Sequence, residues 1–275
     1  VEVASGIYDE NVVVSRANIT LESPNAGLPG TNTNARSTEA VINSTSQSPA
    51  VVINRSEVTI DGFEIRSDGQ DGIRLKNSSI DDIAIINNRI TDVDGSAYIR
   101  NNDPSGAGNG IQIQFGGTVD NTVDNVSISR NLISGVTTAD TKGRTLAIGI
   151  NVLPRGNNIT RLNITENSIT GLEPGASESE EEVRGISIDT QVTKSGSEEF
   201  EGGTDDSNGV VNAPVIAGNN IGDFSGNASS PFEAAGITFF GDNAGNTDIG
   251  VNNFKITSNT IENITNAGGP SSTVL

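Results

Sequence analysis

Apolar and polar residues recur in a fixed order along most of the chain. Each unit opens with a Gly-Ile-x-hydrophobic segment, continues with a second short apolar segment and closes with Ile-x-x-Asn-x-Ile. The opening segments begin at Gly72, Gly110, Gly149, Gly185 and Gly236. Apolar and polar positions alternate within them, which is typical of a β-strand with one buried face. Each unit is therefore predicted to contain three short strands separated by tight bends and loops.

Recurrence in fixed register is typical of stacked, solenoid-like folds. Two looser units precede the regular ones, beginning near Val12 and Val51, and Phe63 stands where later units carry Asn. The pattern predicts an all-β chain, folded as a right-handed parallel β-helix of about seven coils with irregular loops. The 33 % apolar content is enough for the thin internal core of such a fold.

The repeated Asn is the first candidate for a functional residue. Asn accommodates a left-handed bend, and its amide both donates and accepts hydrogen bonds along a stack of identical neighbours. Five copies at one position suit an internal ladder better than an active site. The predicted structural ladder consists of Asn88, Asn131, Asn167, Asn219 and Asn259.

One domain is predicted over residues 1–275. Separations of 43, 36, 52 and 40 residues between successive ladder Asn show regular strands joined by irregular loops. The longest insertion, residues 189–213, is acidic and rich in Gly and Ser, which favours a solvated loop. Strand-like sequence at both ends, near Val1 and Leu275, predicts either a piece of a longer chain or a subunit whose ends are covered in an assembly.

The net charge of the chain limits the partners and the environment that it suits. The chain carries 35 acidic and 16 basic residues, a net charge of -19, and only 4 of the basic residues are Lys. This surface repels nucleic acid and anionic membranes, and molar salt screens its self-repulsion, so a halophilic source is favoured over an ordinary acidic secreted protein. No apolar stretch is long enough to span a bilayer, so no direct membrane insertion is expected.

Composition also limits catalysis and metal binding. The chain has no Cys and no His, which removes disulfides, thiolate sites, imidazole ligands and the commonest general base. No cofactor is expected, apart from Ca²⁺ as a weakly supported alternative to ordinary turn residues. The candidate Ca²⁺ ligands are Asp68, Asp71, Asp92, Asp94, Asp205 and Asp206.

The outward strand positions predict little hydrolytic chemistry. They contain no Asp or Glu: Arg74, Gln112, Asn151, Ser187 and Thr238 on the first strand; Ala84, Ser127, Asn163 and Lys255 on the second; Arg89, Leu132, Ser168, Asn220 and Thr260 on the third. Loop carboxylates such as Asp189 and Asp242 remain as candidates. Sugar-stacking platforms are also scarce, since the chain has no Trp, 2 Tyr and 8 Phe, with Phe63, Phe224, Phe239 and Phe254 at inward positions.

Asn-x-Ser/Thr sequons favour an extracellular location. Such sequons accept N-linked glycans in exported proteins, although an Asn-rich chain contains some by chance. The candidates are Asn18, Asn43, Asn54, Asn77, Asn125, Asn158, Asn163, Asn227 and Asn263.

The opening segment around Tyr8 and Val12, the segment from Val58 to Phe63, and the later repeats resemble the pectin lyase-like superfamily of right-handed β-helix proteins. With the acidic bias, the chain resembles haloarchaeal surface proteins of this type. The resemblance implies the fold over nearly the whole chain. The catalytic motifs of the polygalacturonases, pectin esterases and pectate lyases are absent, so it implies no activity.

The predicted function is a non-catalytic, extracellular structural or adhesive module on the surface of a halophilic archaeon, a scaffold or assembly subunit carrying N-linked glycans. Its expected partners are further copies, other surface proteins or glycans. Two alternatives stay open. One is a polysaccharide lyase or glycoside hydrolase with a loop-borne site, and the other is a viral spike or fibre that binds a receptor.

Overall fold

The computed structural model describes residues 1–32, 34–77, 79–95, 97–100, 103–115, 121–139, 143–154, 157–177, 181–190, 209–225, 232–240 and 250–264. Most of the predicted acidic insertion lies outside these residues, as do Asp205, Asp206, Asn227 and Asp242. The described residues form 25 strands and no helix. Accordingly, they contain no helix of the length and hydropathy needed to cross a membrane.

The strands are listed here in chain order. They are β1 (Gly6–Tyr8), β2 (Val12–Val14), β3 (Ile19–Glu22), β4 (Ala40–Ser44), β5 (Val51–Ile53), β6 (Val58–Asp61), β7 (Glu64–Ser67), β8 (Asp71–Leu75), β9 (Ile83–Ile86), β10 (Arg89–Gly95), β11 (Ala97–Arg100), β12 (Asp103–Gln114), β13 (Thr122–Ser129), β14 (Leu132–Thr138), β15 (Thr145–Leu153), β16 (Asn158–Thr165), β17 (Ser168–Glu173), β18 (Glu181–Asp189), β19 (Val210–Asn212), β20 (Val215–Ala217), β21 (Asn220–Phe224), β22 (Phe232–Phe240), β23 (Gly250–Asn252), β24 (Lys255–Thr257) and β25 (Thr260–Ile264).

These strands form three sheets. Sheet 1 has the order β1-β4-β7-β10-β14-β17-β21-β25, and sheet 2 has the order β2-β5-β8-β12-β15-β18-β22. Sheet 3 has the order β3-β6-β9-β13-β16-β19-β23, with β20 pairing β16 and β24. The pairings along these orders are parallel, whereas β11 pairs β12 antiparallel.

Successive strands enter the three sheets in rotation. The chain forms β1, β2 and β3 in sheets 1, 2 and 3, and then lays β4, β5 and β6 beside them. The same rotation continues to β25. The predicted all-β class is confirmed for the described residues, and the arrangement is consistent with a β-solenoid.

The core is a stack of aligned apolar side chains between the sheets. In sheet 1 one column runs through Tyr8, Ile42, Ile65, Ile90, Ile133, Ile169, Ile221 and Ile261. In sheet 2 another runs through Val12, Val51, Ile73, Ile111, Ile150, Ile186 and Ile237. The interior members of both columns are almost fully buried. Alternation within short strands therefore becomes a continuous core once the strands stack in register.

The Gly that opens each repeat is required by a close approach between sheets 1 and 2. A Cβ added at Gly110 would lie 2.7 Å from the carbonyl oxygen of Gly149 and even closer to the Ile133 side chain. The same conflict arises at Gly72, against Gly110 and Ile90. The Gly-led and Ile-x-x-Asn-x-Ile segments are thus coupled, because the Ile of one occupies the space left by the Gly of the other.

Replacing Gly110 with Ala is expected to lower the free energy of unfolding by about 1–3 kcal/mol, because the neighbouring atom is backbone and cannot rotate away. Urea-induced unfolding at fixed molar KCl measures this difference. Ser134→Ala, on the outer side of sheet 1, serves as the control. Equal stability of the two variants would contradict the proposed contact.

Residues with a left-handed backbone conformation (positive φ) also recur at equivalent positions in successive repeats. We expected this conformation at the ladder Asn, but it lies one residue earlier, at Asn87 (φ 60°), Arg130 (φ 55°) and Glu166 (φ 56°). The correction has a geometric reason. The preceding residue makes the bend, and the Asn that follows is thereby free to point its amide inward.

Candidate functional site

The five predicted ladder residues form one hydrogen-bonded column. The amide nitrogen Nδ2 of Asn88 donates to Oδ1 of Asn131 (3.2 Å) and to the carbonyl oxygen of Ile60 (2.9 Å). The backbone N–H of Asn88 donates to the same Oδ1 atom (2.9 Å). This arrangement repeats to Asn259. Interior rungs such as Asn131 are fully buried, and their polar atoms are saturated within the protein. The buried rungs therefore stabilise the fold, and their amide groups are engaged within the column.

A second polar array lies on the outer face of sheet 2. Its central row consists of the aligned residues Arg74, Gln112, Asn151, Ser187 and Thr238. We expected this row to face water, yet Gln112, Asn151 and Ser187 are only 3 %, 6 % and 0 % exposed. Strand spacing alone does not account for this burial, because the equally spaced outward residues Ser127 and Asn163 of sheet 3 are half-buried.

Hydrogen bonds link the central row to Asp71 and Asn109, just upstream on the same face. Asn151 donates to Oδ1 of Asn109 (3.0 Å), and Asn109 donates to Oδ1 of Asp71 (2.8 Å). Arg74 forms an ion pair with the other carboxylate oxygen of Asp71. Two buried atoms in the row, Oε1 of Gln112 and Oγ of Ser187, have no hydrogen-bond partner among the residues that the structure describes. The row therefore combines a network of hydrogen-bonded side chains with two polar atoms that have no described partner.

The expectation that outward faces carry no Asp or Glu needs correction, since Glu64 aligns with the outward Arg89 in sheet 1 and Asp124 lies on β13 in sheet 3. The largest departure is in sheet 2. Its strands begin upstream of the Gly-led segments, and β18 begins at Glu181. Since Val183 belongs to the core, the alternation places Glu182 on the outer face. Asp71, the first residue of β8, lies on this face too, as its ion pair with Arg74 shows. These residues were missed because their polar sequence does not resemble a strand.

Glu182 is the centre of a buried charge cluster. Its side chain is 1 % exposed and forms ion pairs with Arg144 and Arg184, which are 21 % and 12 % exposed. The guanidinium carbon of Arg184 also lies 4.3 Å from the centre of the Phe240 ring. Glu182 is thus held by two cations at a site with little access to water.

The four predicted calcium ligands that lie within the described residues do not form a metal site. Asp71 is buried against Arg74, whereas Asp68 and Asp94 are exposed at other places. The side chain of Asp92 is 75 % exposed and lies 3.8 Å from Arg66. In the part of the chain that the structure describes, no three acidic side chains are grouped so as to hold a metal ion.

The sequons differ in exposure. Asn18 and Asn263 are exposed, while Asn43, Asn54, Asn77, Asn125, Asn158 and Asn163 are half-buried. Several side-chain amides donate within the protein, among them those of Asn43, Asn125 and Asn263, which donate to Asp9, Asp82 and Asp223. No such hydrogen bond is described for Asn18, which makes it the most accessible of the described sequons.

The inward aromatic positions also differ from one another. Phe63 and Phe224 are buried in the core at 1 % exposure, but Phe254 is 57 % exposed. Phe254 lies just before β24, and among the described strands β24 pairs only with β20. Its inward position is therefore left without a covering strand, and its ring contacts Phe239 with centroids 5.5 Å apart.

An exposed ion pair occupies the outer face of sheet 3. Arg161 Nε and Thr160 Oγ1 donate to Oδ1 of Asp124, at 2.7 and 2.6 Å. The hydrogen bond from Arg161, followed by that from Thr160, lowers the pKa of Asp124 to about 2. The pair is a surface feature on a different sheet from the central row.

This lowered pKa predicts an acid-labile contribution to stability. Because the folded state favours ionised Asp124, the contribution is complete above the usual Asp pKa of about 3.9 and is lost as the pH falls toward 2. Asp124→Asn should therefore flatten the dependence of the unfolding free energy on pH between about pH 4 and 2. Arg161→Gln should flatten it similarly, and the double variant should add little. An unchanged slope in Asp124→Asn would contradict the assignment.

Comparison with known proteins provides no further assignment, since no family model, curated protein or solved structure matched the chain. The fold and its polar arrays define the molecule as an all-β protein of three parallel sheets, with an internal Asn ladder and a buried polar outer face on sheet 2.

Proposed function

We propose that residues 1–275 form one domain, a right-handed parallel β-helix of about seven coils of the pectin lyase-like type. The rotation of the chain through three parallel sheets supports this assignment.

The proposed function is that of a non-catalytic, extracellular structural or adhesive module of a halophilic archaeal surface, glycosylated on its sequons and without a cofactor. The observation that carries it is the buried Asn ladder, which runs through the same stack as the apolar columns and ties the strands into one rigid body. Two buried carboxylates on the outer face of sheet 2, those of Asp71 and Glu182, are held by Arg side chains, which further supports a structural role.

A degradation assay tests the non-catalytic assignment. The chain is incubated in molar KCl with acidic and neutral polysaccharides, and new reducing ends and unsaturated uronate products are measured. No product above the buffer control is expected. Turnover with any of these substrates would overturn the proposal. Intact mass spectrometry of the protein from its native source tests glycosylation separately, with Asn18 the first site expected to be occupied.

The second candidate function is that of a polysaccharide lyase or glycoside hydrolase. The oxygen atoms of Gln112 and Ser187 favour it, because they have no partner among the described residues, buried polar atoms normally have partners, and a sugar hydroxyl would supply them. If turnover is found, Gln112→Leu and Ser187→Ala should weaken substrate binding. Asp124→Asn, on sheet 3, is the control and should leave binding unchanged.

A further inference from the structure

The first bend between sheets 3 and 1 contains an insertion that lies along the bends of later turns. One turn of the chain comprises a strand from each of the three sheets and ends at such a bend. In the second, third and fourth turns the bend has only two residues, 62–63, 87–88 and 130–131. The first turn instead continues from β3 to β4 through residues 23–39. We call the described part of this insertion, residues 23–32 and 34–39, the strap.

The strap is held in shape by its own hydrogen bonds. Oδ1 of Asn25, a fully buried residue, accepts a hydrogen bond from the backbone N–H of Ser37 (2.6 Å). Nδ2 of Asn25 donates to the carboxylate of Glu39 (2.8 Å). Arg36 forms an ion pair with Glu39 and donates to the carbonyl oxygen of Leu28 (2.9 Å). These contacts connect the beginning of the strap to its end and fix its shape.

The strap also donates hydrogen bonds to the bends of three successive turns. The carbonyl oxygen of Gly62, in the second turn, accepts from Arg36 (2.6 Å). The carbonyl oxygen of Asn87, in the third turn, also accepts from Arg36 (2.8 Å). The carbonyl oxygen of Arg130, in the fourth turn, accepts from the backbone N–H of Gly30 (2.9 Å). One short segment thus joins the second turn to the fourth, although their strands are not neighbours in any sheet.

The strap packs closely against these bends. A Cβ added at Gly30 would lie 2.1 Å from the carbonyl oxygen of Asn88 and 2.8 Å from the backbone nitrogen of Leu132. A Cβ added at Gly62 would lie 2.5 Å from the backbone nitrogen of Ala26. Backbone therefore meets backbone in both places, with no room for a side chain between the strap and the bends.

Contacts between non-adjacent turns change how a stacked fold opens. In a solenoid each turn contacts only its neighbours, so turns can open one at a time. Hydrogen bonds along the bends, such as that from Asn87 N–H to the carbonyl oxygen of Ser129, join adjacent turns in this way. The strap is different, because a turn that opened alone would leave a buried donor without its acceptor while the other turns still held the strap. These donors are the Arg36 side chain, which is 2 % exposed, and the N–H of the buried residue Gly30.

We propose that the strap holds the second, third and fourth turns together, so that they open and close as one cooperative unit. Proteins open locally in such units, whose members share one opening free energy. The strap sets the size of this unit at the beginning of the stack. The inference is independent of the proposed function, because it follows from the contacts of the strap whatever the outer faces bind.

Amide hydrogen exchange, resolved by NMR in molar KCl, tests the proposal on the unmodified chain. The N–H of Gly30 reports the strap. The N–H groups of Gly62 and Asn87 report the contacts between successive turns, because they donate to carbonyl oxygens of the next turn. After correction for intrinsic rates, the three should exchange within about threefold of one another, as expected for one opening unit. A Gly30 N–H that exchanges faster than that of Asn87 by about tenfold or more would overturn the proposal, since the strap would then open by itself.

Arg36→Met tests the contact directly. Methionine keeps an apolar stem at this buried position but removes the hydrogen bonds to the bends. The N–H groups of Gly30 and Asn87 should then exchange faster by about tenfold or more. Arg55→Met is the matched control, because Arg55 is exposed in the second turn and donates to the carbonyl oxygen of its neighbour Asn54 (2.7 Å). It should leave both exchange rates unchanged.

A distant amide separates loosening of the unit from a general loss of stability. The N–H of Gly218 lies in the bend of the sixth turn and donates to the carbonyl oxygen of Thr257. It should keep its exchange rate in Arg36→Met. An acceleration at Gly218 equal to that at Gly30, or no acceleration at Gly30, would contradict the proposed role of the strap. If Arg36→Met does not fold, the comparison of Gly30 with Asn87 in the unmodified chain still decides the proposal.

Discussion

Replacing Asn131 with Ala is expected to lower the free energy of unfolding by about 3–5 kcal/mol. The substitution removes the acceptor of the Asn88 N–H and Nδ2 groups and the donor to the carbonyl oxygen of Ile85. Asn88 and Ile85 are fully buried, so water cannot replace these partners. Leaving several buried polar groups unpaired is more damaging than losing one hydrogen bond between exposed groups. Urea-induced unfolding in molar KCl, followed by circular dichroism, measures the loss.

Two further Asn→Ala variants make this measurement specific to the ladder. Asn163→Ala removes only a 3.3 Å hydrogen bond to the carbonyl oxygen of Arg161 from a half-buried site, and it should change stability little. Asn259→Ala affects a rung that is only partly buried, so an intermediate loss is expected. If Asn131→Ala destabilises the protein no more than Asn163→Ala does, the ladder does not stabilise the fold as argued.

The repeat allowed the strands and the ladder positions to be predicted because each of its positions has the same local environment in every unit. Ile in alternate positions identifies an inward face, and a recurring Asn identifies a stacked amide. The bend was placed one residue late, at Asn131 instead of Arg130, because Asn adopts the left-handed conformation more readily than Arg. In the fold, tertiary packing fixes the bend on the preceding residue, whether that residue is exposed like Glu166 or buried like Asn87.

The outer face of sheet 2 could not be predicted in the same way. A period of two shows which side chains share a face, but it does not show whether that face is covered. Gln112 and Ser187 were therefore assigned to water although they are buried. The charge cluster around Glu182 was missed for a related reason, because a run of Glu residues has the composition of a solvated loop.

Residues outside the repeat were the least predictable. Arg36, in the segment between β3 and β4, is only 2 % exposed at its side chain and forms an ion pair with Glu39. It also donates to the carbonyl oxygens of Leu28, Asn87 and Gly62, at 2.9, 2.8 and 2.6 Å. The carbonyls of Asn87 and Gly62 belong to two successive bends, so Arg36 connects its segment to both bends by hydrogen bonds. No periodic pattern marks it, since it occurs once.

Replacing Glu182 with Gln is expected to lower the free energy of unfolding by about 3–5 kcal/mol. The carboxylate, 1 % exposed, lies between Arg144 and Arg184, which are themselves largely buried. Without its charge the two guanidinium groups repel each other with little water to screen them. Removing one partner from a buried ion cluster therefore lowers stability more than replacing the whole cluster with apolar residues does. The same urea titration measures the effect.

Glu233→Gln is the matched control, because Glu233 pairs in register with Glu182 on the adjacent strand but is exposed. It removes one charge from a chain of net charge -19 and should leave stability unchanged or slightly higher. Replacing Glu182, Arg144 and Arg184 together with Leu, Met and Met should recover part of the stability lost in Glu182→Gln, since no buried charge then remains unpaired. If the triple variant is less stable than Glu182→Gln, direct packing of the side chains outweighs charge pairing in this cluster. If Glu182→Gln is as stable as Glu233→Gln, the cluster does not hold the outer face together.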